Sequence, residues 1–148
     1  HRQSNIQSKT KLKNVIYALS ENKETVVIPA HPRTRNVFKK YNITIPSNII
    51  LIQPLGYIDM LSMISNSRFV VTDSGGVQKE SSFFNVPCLV LREETEWSDL
   101  VDNGYSILVG TSKEKIKKSL KIETFNNTKI KCFGDGSAGK KIVKALVN

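Results

Sequence analysis

The stretch Asp73-Ser74-Gly75-Gly76 follows the apolar run Phe69-Val70-Val71-Thr72 and precedes a helical pattern containing Gln78 and Glu80. Strand, glycine turn and helix start in that order leave several backbone amides unpaired at the positive end of the helix dipole, where an anion can bind. Two glycines remove side chains that would block a phosphate, and the Ser74 hydroxyl adds a donor. Glu80, one to two turns into the helix, has the carboxylate that would accept bonds from a ribose diol. Read locally, the same residues also suit a plain turn in which Ser74 or Asp73 caps the helix. Phosphate donors together with a diol acceptor suggest a nucleotide.

Three further groups carry polar chemistry. His1-Arg2 opens the chain, and His31-Pro32 with Arg33 and Arg35 follows an apolar run; each offers donors to an anion. The bland alternatives are a loop histidine satisfied by backbone and, for His1, the remnant of a tag. Leu91-Arg92-Glu93-Glu94-Thr95-Glu96-Trp97 ends the next apolar run, and its threonine and acids could cap a short helix around Ser98 to Asn103, with Trp97 as core. With only two histidines, and with carboxylates not grouped as a ligand set, the sequence offers no metal site.

Five β-rich runs are available to position these groups: Thr25 to Pro29, Ile49 to Gln53, Phe69 to Asp73, Cys88 to Leu91 and Ser106 to Val109. They are apolar on both faces and alternate with helix-length segments, Ser4 to Ser20, Thr34 to Lys40, Tyr57 to Asn66, Gly76 to Phe84 and Lys113 to Lys121. That pattern predicts an α/β fold, a doubly wound parallel sheet covered by helices. Right-handed crossovers then gather the loops at the carboxyl ends of the strands on one edge, where such folds bind ligands. The first helical segment has no strand before it, so the first βα unit looks beheaded and the chain reads as a fragment. Gly134 to Gly139 forms a glycine-rich joint before a last apolar helix pattern, Lys141 to Val147.

A chain of 148 residues with 39% hydrophobic content suits one globular domain. The net charge of +9 invites a nucleic-acid reading. However, much of the excess lies on Lys113, Lys115, Lys117, Lys118 and Lys121, interleaved with Ile116, Leu120 and Ile122 as on the wet face of an amphipathic helix. No aromatic residues alternate with these lysines to stack on bases, so no nucleic-acid partner is expected. No apolar run approaches the roughly 20 residues of a membrane helix, and no signal peptide is legible, so a soluble cytoplasmic protein with no membrane partner is expected. Cys88 and Cys132 lack the paired spacing of a zinc or redox motif and read as unpaired thiols.

In its motifs, this sequence resembles the C-terminal domain of the non-hydrolysing UDP-N-acetylglucosamine (UDP-GlcNAc) 2-epimerases. The residues that carry the resemblance are Asp73-Ser-Gly-Gly-Val-Gln-Lys-Glu80, Val86-Pro-Cys-Leu-Val-Leu-Arg92, Thr95-Glu96, Gly104 to Gly110 and Gly134-Asp-Gly-Ser-Ala. His1-Arg2-Gln3-Ser4-Asn5 is similar to the HRxEN segment that opens that domain. The resemblance implies that residues 1–148 form the UDP-binding Rossmann-like half of a glycogen-phosphorylase-like (GT-B) two-domain enzyme. The N-terminal half with the catalytic carboxylates would be absent, and the full-length protein would be a homodimer.

By the same resemblance Ser74, Gly75 and Gly76 hold the diphosphate, Glu80 the ribose hydroxyls, and Leu55 and Met60 surround the uracil. His1 lies at the diphosphate close to the reacting sugar and is the catalytic candidate of this half. Arg2 and His31 match positions that touch a second, activating UDP-GlcNAc in bacterial relatives. The implied reaction interconverts UDP-GlcNAc and UDP-ManNAc, in the service of polysaccharide or capsule synthesis. UDP is eliminated after proton removal at carbon 2 and then added back, with no metal or redox cofactor.

Three positions depart from the family pattern: Ser4 replaces Glu, Lys79 stands where many members are acidic, and Trp97 stands where bacterial UDP-GlcNAc enzymes usually have Arg. The Glu-Thr-Glu-Trp variant is similar to branches that include archaeal members and enzymes of UDP-linked diacetamido uronic acids. A hydrolysing 2-epimerase and a non-catalytic nucleotide-sugar receptor domain are the other readings.

Overall fold

The computed structural model describes residues 8–123 and 133–147. His1, Arg2, Ser4 and Cys132 lie outside the described residues. The chain runs α1 (Lys9–Ser20), β1 (Val26–Pro29), α2 (Pro32–Lys40), β2 (Ile49–Ile52), α3 (Tyr57–Ser65) and β3 (Val70–Thr72). It continues through α4 (Gly75–Phe83), β4 (Cys88–Val90), α5 (Ser98–Asp102), β5 (Ser106–Leu108), α6 (Lys113–Ser119) and α7 (Ala138–Val147). Every strand and helix expected from hydrophobic periodicity is present, with ends shifted by a few residues where caps rather than apolar pattern set the boundary. Ser8 and Ser112 accept bonds from the amides of Lys11 and Lys115, each at 3.3 Å, and so start α1 and α6. Pro32 occupies the first turn of α2, where its missing N–H costs nothing.

All strand pairs are parallel, as the two-sided apolar runs require. The described strands form a pair, β1-β2, and a triplet, β3-β4-β5, rather than one continuous ladder. The two groups are nevertheless aligned. Glu24, just before β1, and Arg68, just before β3, form an ion pair at 3.1 Å, and Arg68 also donates to the Leu120 carbonyl at 2.7 Å. Their amino ends therefore lie side by side, and the loops at their carboxyl ends share the opposite edge.

One apolar core joins both groups. Val15, Ile16 and Leu19 of α1, Phe38 of α2, Ile49 of β2, Leu89 of β4 and Ile116 of α6 are buried in a single cluster. Helix α1 packs on α6, and the lysine-rich face of α6 turns outward as its spacing predicts: Ile116 is buried, while Lys115 and Lys118 are exposed. Lys117 forms an ion pair with Glu21 and Lys113 lies over the Tyr17 ring at 3.8 Å, so this basic stripe is partly tied down by α1. Among the described residues no helix is long and apolar enough to cross a membrane. Helix α7 has no buried residue and displays Ile142, Val143, Leu146 and Val147 to solvent.

Cys88 sits at the start of β4, the central strand of the triplet, and burial pushes its thiol up to about 12. A thiol-exchange reagent at pH 8 is expected to leave it unmodified in the native chain and to titrate it on unfolding, which a Cys132→Ser background would read cleanly. Because the folded value lies above the ordinary 9.0, this thiol favours the folded state fully below that value. Its contribution fades as pH rises toward about 12.

Candidate functional site

Strand β3 ends at Thr72, whose hydroxyl accepts a bond from the Ser74 amide at 3.1 Å, so the chain turns at once into α4. Ser74 occupies the N-cap position with extended backbone, and its carbonyl accepts from the Gln78 amide at 3.2 Å, but its side chain makes no capping bond. The plain-turn reading in which the Ser74 hydroxyl caps the helix is therefore not what forms. No acidic residue occupies the first turn of α4. The helix start thus keeps the positive end of its dipole without a carboxylate from its own first turn.

The two glycines do different work. A Cβ on Gly76 would meet nothing nearer than the Ser74 hydroxyl at 3.9 Å, so that side of the turn is open. A Cβ on Gly75 would overlap a Glu96 carboxylate oxygen and fall 3.3 Å from the Trp97 indole nitrogen. Gly76 leaves its side of the turn clear, and Gly75 is required where another loop presses against it.

That loop is residues 91–97, after β4. Since β4 lies beside β3, its carboxyl end delivers the segment to the glycine turn. Trp97 donates its indole N–H to the Gly75 carbonyl at 2.9 Å, and Thr95 donates to Gln78 Oε1 at 2.6 Å while accepting from the Trp97 amide at 3.2 Å. Arg92 and Glu96 close the loop with an ion pair at 2.5 Å. Gln78 is fully buried, and among the described residues its Nε2 has no partner, so the bond from Thr95 is the one its side-chain amide makes there. The expectation that Thr95 and its acidic neighbours cap α5, with Trp97 as core, does not hold: the N-cap of α5 is Trp97, with no side-chain capping bond, and Trp97 is only half-buried. Position along the sheet was the signal that could have found this clamp, because loops after neighbouring parallel strands are neighbours at the edge.

Glu80 is half-buried on α4, one helical turn past Gly76, so both lie on one face of the helix. Leu55, in the loop after β2, and Met60, early in α3, are half-buried, and α3 packs on α4. Between them Tyr57 and Ile58 are 65% and 73% exposed, large apolar surfaces at the same edge. His31 caps α2, its Nδ1 accepting from the Arg33 amide at 3.3 Å. Arg35 is committed to scaffold: it donates to the carbonyls of Ala30 at 3.2 Å and Ile52 at 2.5 Å, tying the ends of β1 and β2 together. Of the second basic group, Arg33 is exposed and Arg35 is spent on structure. No group of three or more His, Cys, Asp or Glu among the described residues is placed to hold a metal ion.

The family model described as UDP-N-acetylglucosamine 2-epimerase matches residues 1–147. The chain belongs to the UDP-N-acetylglucosamine 2-epimerase family. A UDP-N-acetylglucosamine 2-epimerase homolog of Methanococcus maripaludis is 42% identical across all of this chain, which spans 43% of that relative. The UDP-2,3-diacetamido-2,3-dideoxy-D-glucuronate 2-epimerase of Pseudomonas aeruginosa is 36% identical over 99% of the chain and 42% of its own length. Among solved structures, the Methanocaldococcus jannaschii UDP-GlcNAc 2-epimerase in complex with UDP-GlcNAc and UDP superposes with a TM-score of 0.84 at 34% identity, over 99% of this chain and 43% of that one. The fold is accordingly the Rossmann-like half of a GT-B architecture, and the chain spans less than half the length of the relatives it matches.

Proposed function

We propose that this chain is the nucleotide-binding, C-terminal half of a UDP-sugar 2-epimerase. The observation that carries the reading is the start of α4: a helix N-terminus that Ser74 leaves uncapped, open on the Gly76 side, with Glu80 one turn further along. The amides of residues 75–77 and the Ser74 hydroxyl take the diphosphate, and Glu80 accepts both ribose hydroxyls. Leu55 and Met60, with Tyr57 beside them, flank the uracil. What supports these roles is their common position on one sheet edge, in a family whose members carry UDP-sugar names.

In such a reaction a carboxylate base from the rest of the protein removes the proton at carbon 2, and UDP departs to leave an unsaturated sugar. Charge gathers on the departing diphosphate, where fixed amide dipoles stabilise it without reorganising. Return of UDP after reprotonation on the other face completes the inversion. His1 would stand at the diphosphate near the reacting carbon, and Arg2 with His31 would meet a second, activating UDP-sugar. Both elements of that site lie at the opening of the chain and the N-terminus of α2.

UDP-GlcNAc and UDP-ManNAc are the sugars proposed. A UDP-linked diacetamido uronic acid is the second reading, favoured by the Glu-Thr-Glu-Trp loop and by the Pseudomonas aeruginosa relative. The product sugar would enter polysaccharide or capsule synthesis in the cytoplasm, and the complete protein would act as a homodimer.

Calorimetry with UDP and with uridine tests the reading. Gly76→Ala should leave the melting temperature unchanged or slightly raised, since its methyl meets open space and alanine favours helix by up to about 1 kcal/mol. The same change should weaken UDP by at least about tenfold while sparing uridine, because the methyl crowds only the diphosphate. Equal UDP affinity in wild type and variant would remove the diphosphate from the turn.

A further inference from the structure

We propose that Trp97 and Thr95 are positioning residues for the diphosphate turn, setting the direction in which the Gly76 amide points. Such a role presupposes the UDP-binding reading above and deepens it. The peptide between Gly75 and Gly76 is planar and trans, so its C=O and N–H point in opposite directions. The indole N–H of Trp97 holds the Gly75 oxygen at 2.9 Å beside the helix's own ladder, a second hold that steadies the opposite end of the same peptide, the Gly76 N–H. A hydrogen bond to that oxygen also polarises the peptide and strengthens its N–H as a donor.

Thr95 fixes the register of the clamp. Its hydroxyl links the Trp97 amide to the buried Gln78, three residues beyond Gly75 on α4, so the loop is held at two successive points on the helix. Glu96 fills the space beside Gly75, where a side chain on residue 75 would otherwise sit, and Arg92 holds its charge.

The indole is held from its other side as well. Lys79 Nζ lies 5.0 Å from the Trp97 ring centre and 4.9 Å from that of Phe133, and the two rings meet edge to face at 5.6 Å. Lys79 and Trp97 thus touch. Their contact, a cation on an aromatic face, lies behind the hydrogen bond to the turn.

The test is Trp97→Phe, which keeps a ring for Lys79 and Phe133 but deletes the N–H. Its UDP affinity should fall about tenfold, the worth of one hydrogen bond to a group that serves a charged ligand, while uridine affinity and melting temperature stay close to wild type. In the unliganded variant the Gly76 amide resonance should move and those of β1 should not. Trp97 is the one tryptophan of the chain, so its emission should also respond to UDP in the wild type.

Unchanged UDP affinity with an unmoved Gly76 resonance would overturn the role, as would equal losses for UDP and uridine. Failure of the wild type to bind UDP would instead remove the UDP reading itself. A shift of the Gly76 resonance on Trp97→Phe would still stand in that case as the mark of the clamp.

Discussion

Glu80→Ala is expected to weaken UDP binding by roughly tenfold to a hundredfold, corresponding to the loss of charge-assisted bonds worth about 1.5–3 kcal/mol. Glu80 lies on the surface of α4, half-buried, so its truncation removes little packing and the melting temperature should hardly move. Two hydroxyls on one carboxylate make a sharper version of the test. Deoxy-UDP, lacking one hydroxyl, should already bind more weakly to the wild type, and Glu80→Ala should then cost it less than it costs UDP. Glu80→Gln keeps one acceptor oxygen, replaces the other with a donor NH2 and removes the charge, so it should fall between wild type and alanine. Equal losses for UDP and deoxy-UDP would separate Glu80 from the ribose.

The largest loss of stability should come from Ile116→Ala. Ile116 is fully buried where α6 packs on α1, in the cluster that also includes Leu89 and Val109. Removing three carbons there costs about 2–5 kcal/mol, transfer and cavity combined. A domain of this size has only about 5–15 kcal/mol to lose, so the urea midpoint should drop by a large fraction of its value. Leu146→Ala offers the contrast: the residue is 80% exposed on α7, and the change should fall within about 0.5 kcal/mol of neutral. Comparable losses at the two positions would mean that α7 is packed in solution against something these contacts do not include.

Most of the scaffold was legible because its signals are local. Two-sided apolar runs such as Cys88-Leu89-Val90 can be satisfied only inside a covered parallel sheet. The lysines of α6 could be assigned to solvent from spacing alone, since Ile116 and Leu120 repeat at helical period between them. The glycine turn after β3 was equally visible, being a strand, two glycines and a helix within one short segment.

What escaped depends on contacts across the sheet edge. Thr95 and Trp97 look like the start of α5 in one dimension, and only the adjacency of β3 and β4 shows that they hold α4 instead. Gly75 has a reason to lack a side chain that its neighbours in sequence do not show: the Glu96 carboxylate presses against it. Arg35 looked like an anion donor, yet the carbonyls of Ala30 and Ile52, five and seventeen residues away from it, claim its guanidinium. In each case the residue type was informative and its partner was not, because hydrogen-bond partners distant in sequence are chosen by topology.

A crystal of the chain soaked with UDP should show diphosphate oxygens within about 3 Å of the amides of residues 75–77 and the ribose diol on the Glu80 carboxylate. Diphosphate density elsewhere on the molecule, with the turn at Ser74 unoccupied, would contradict it.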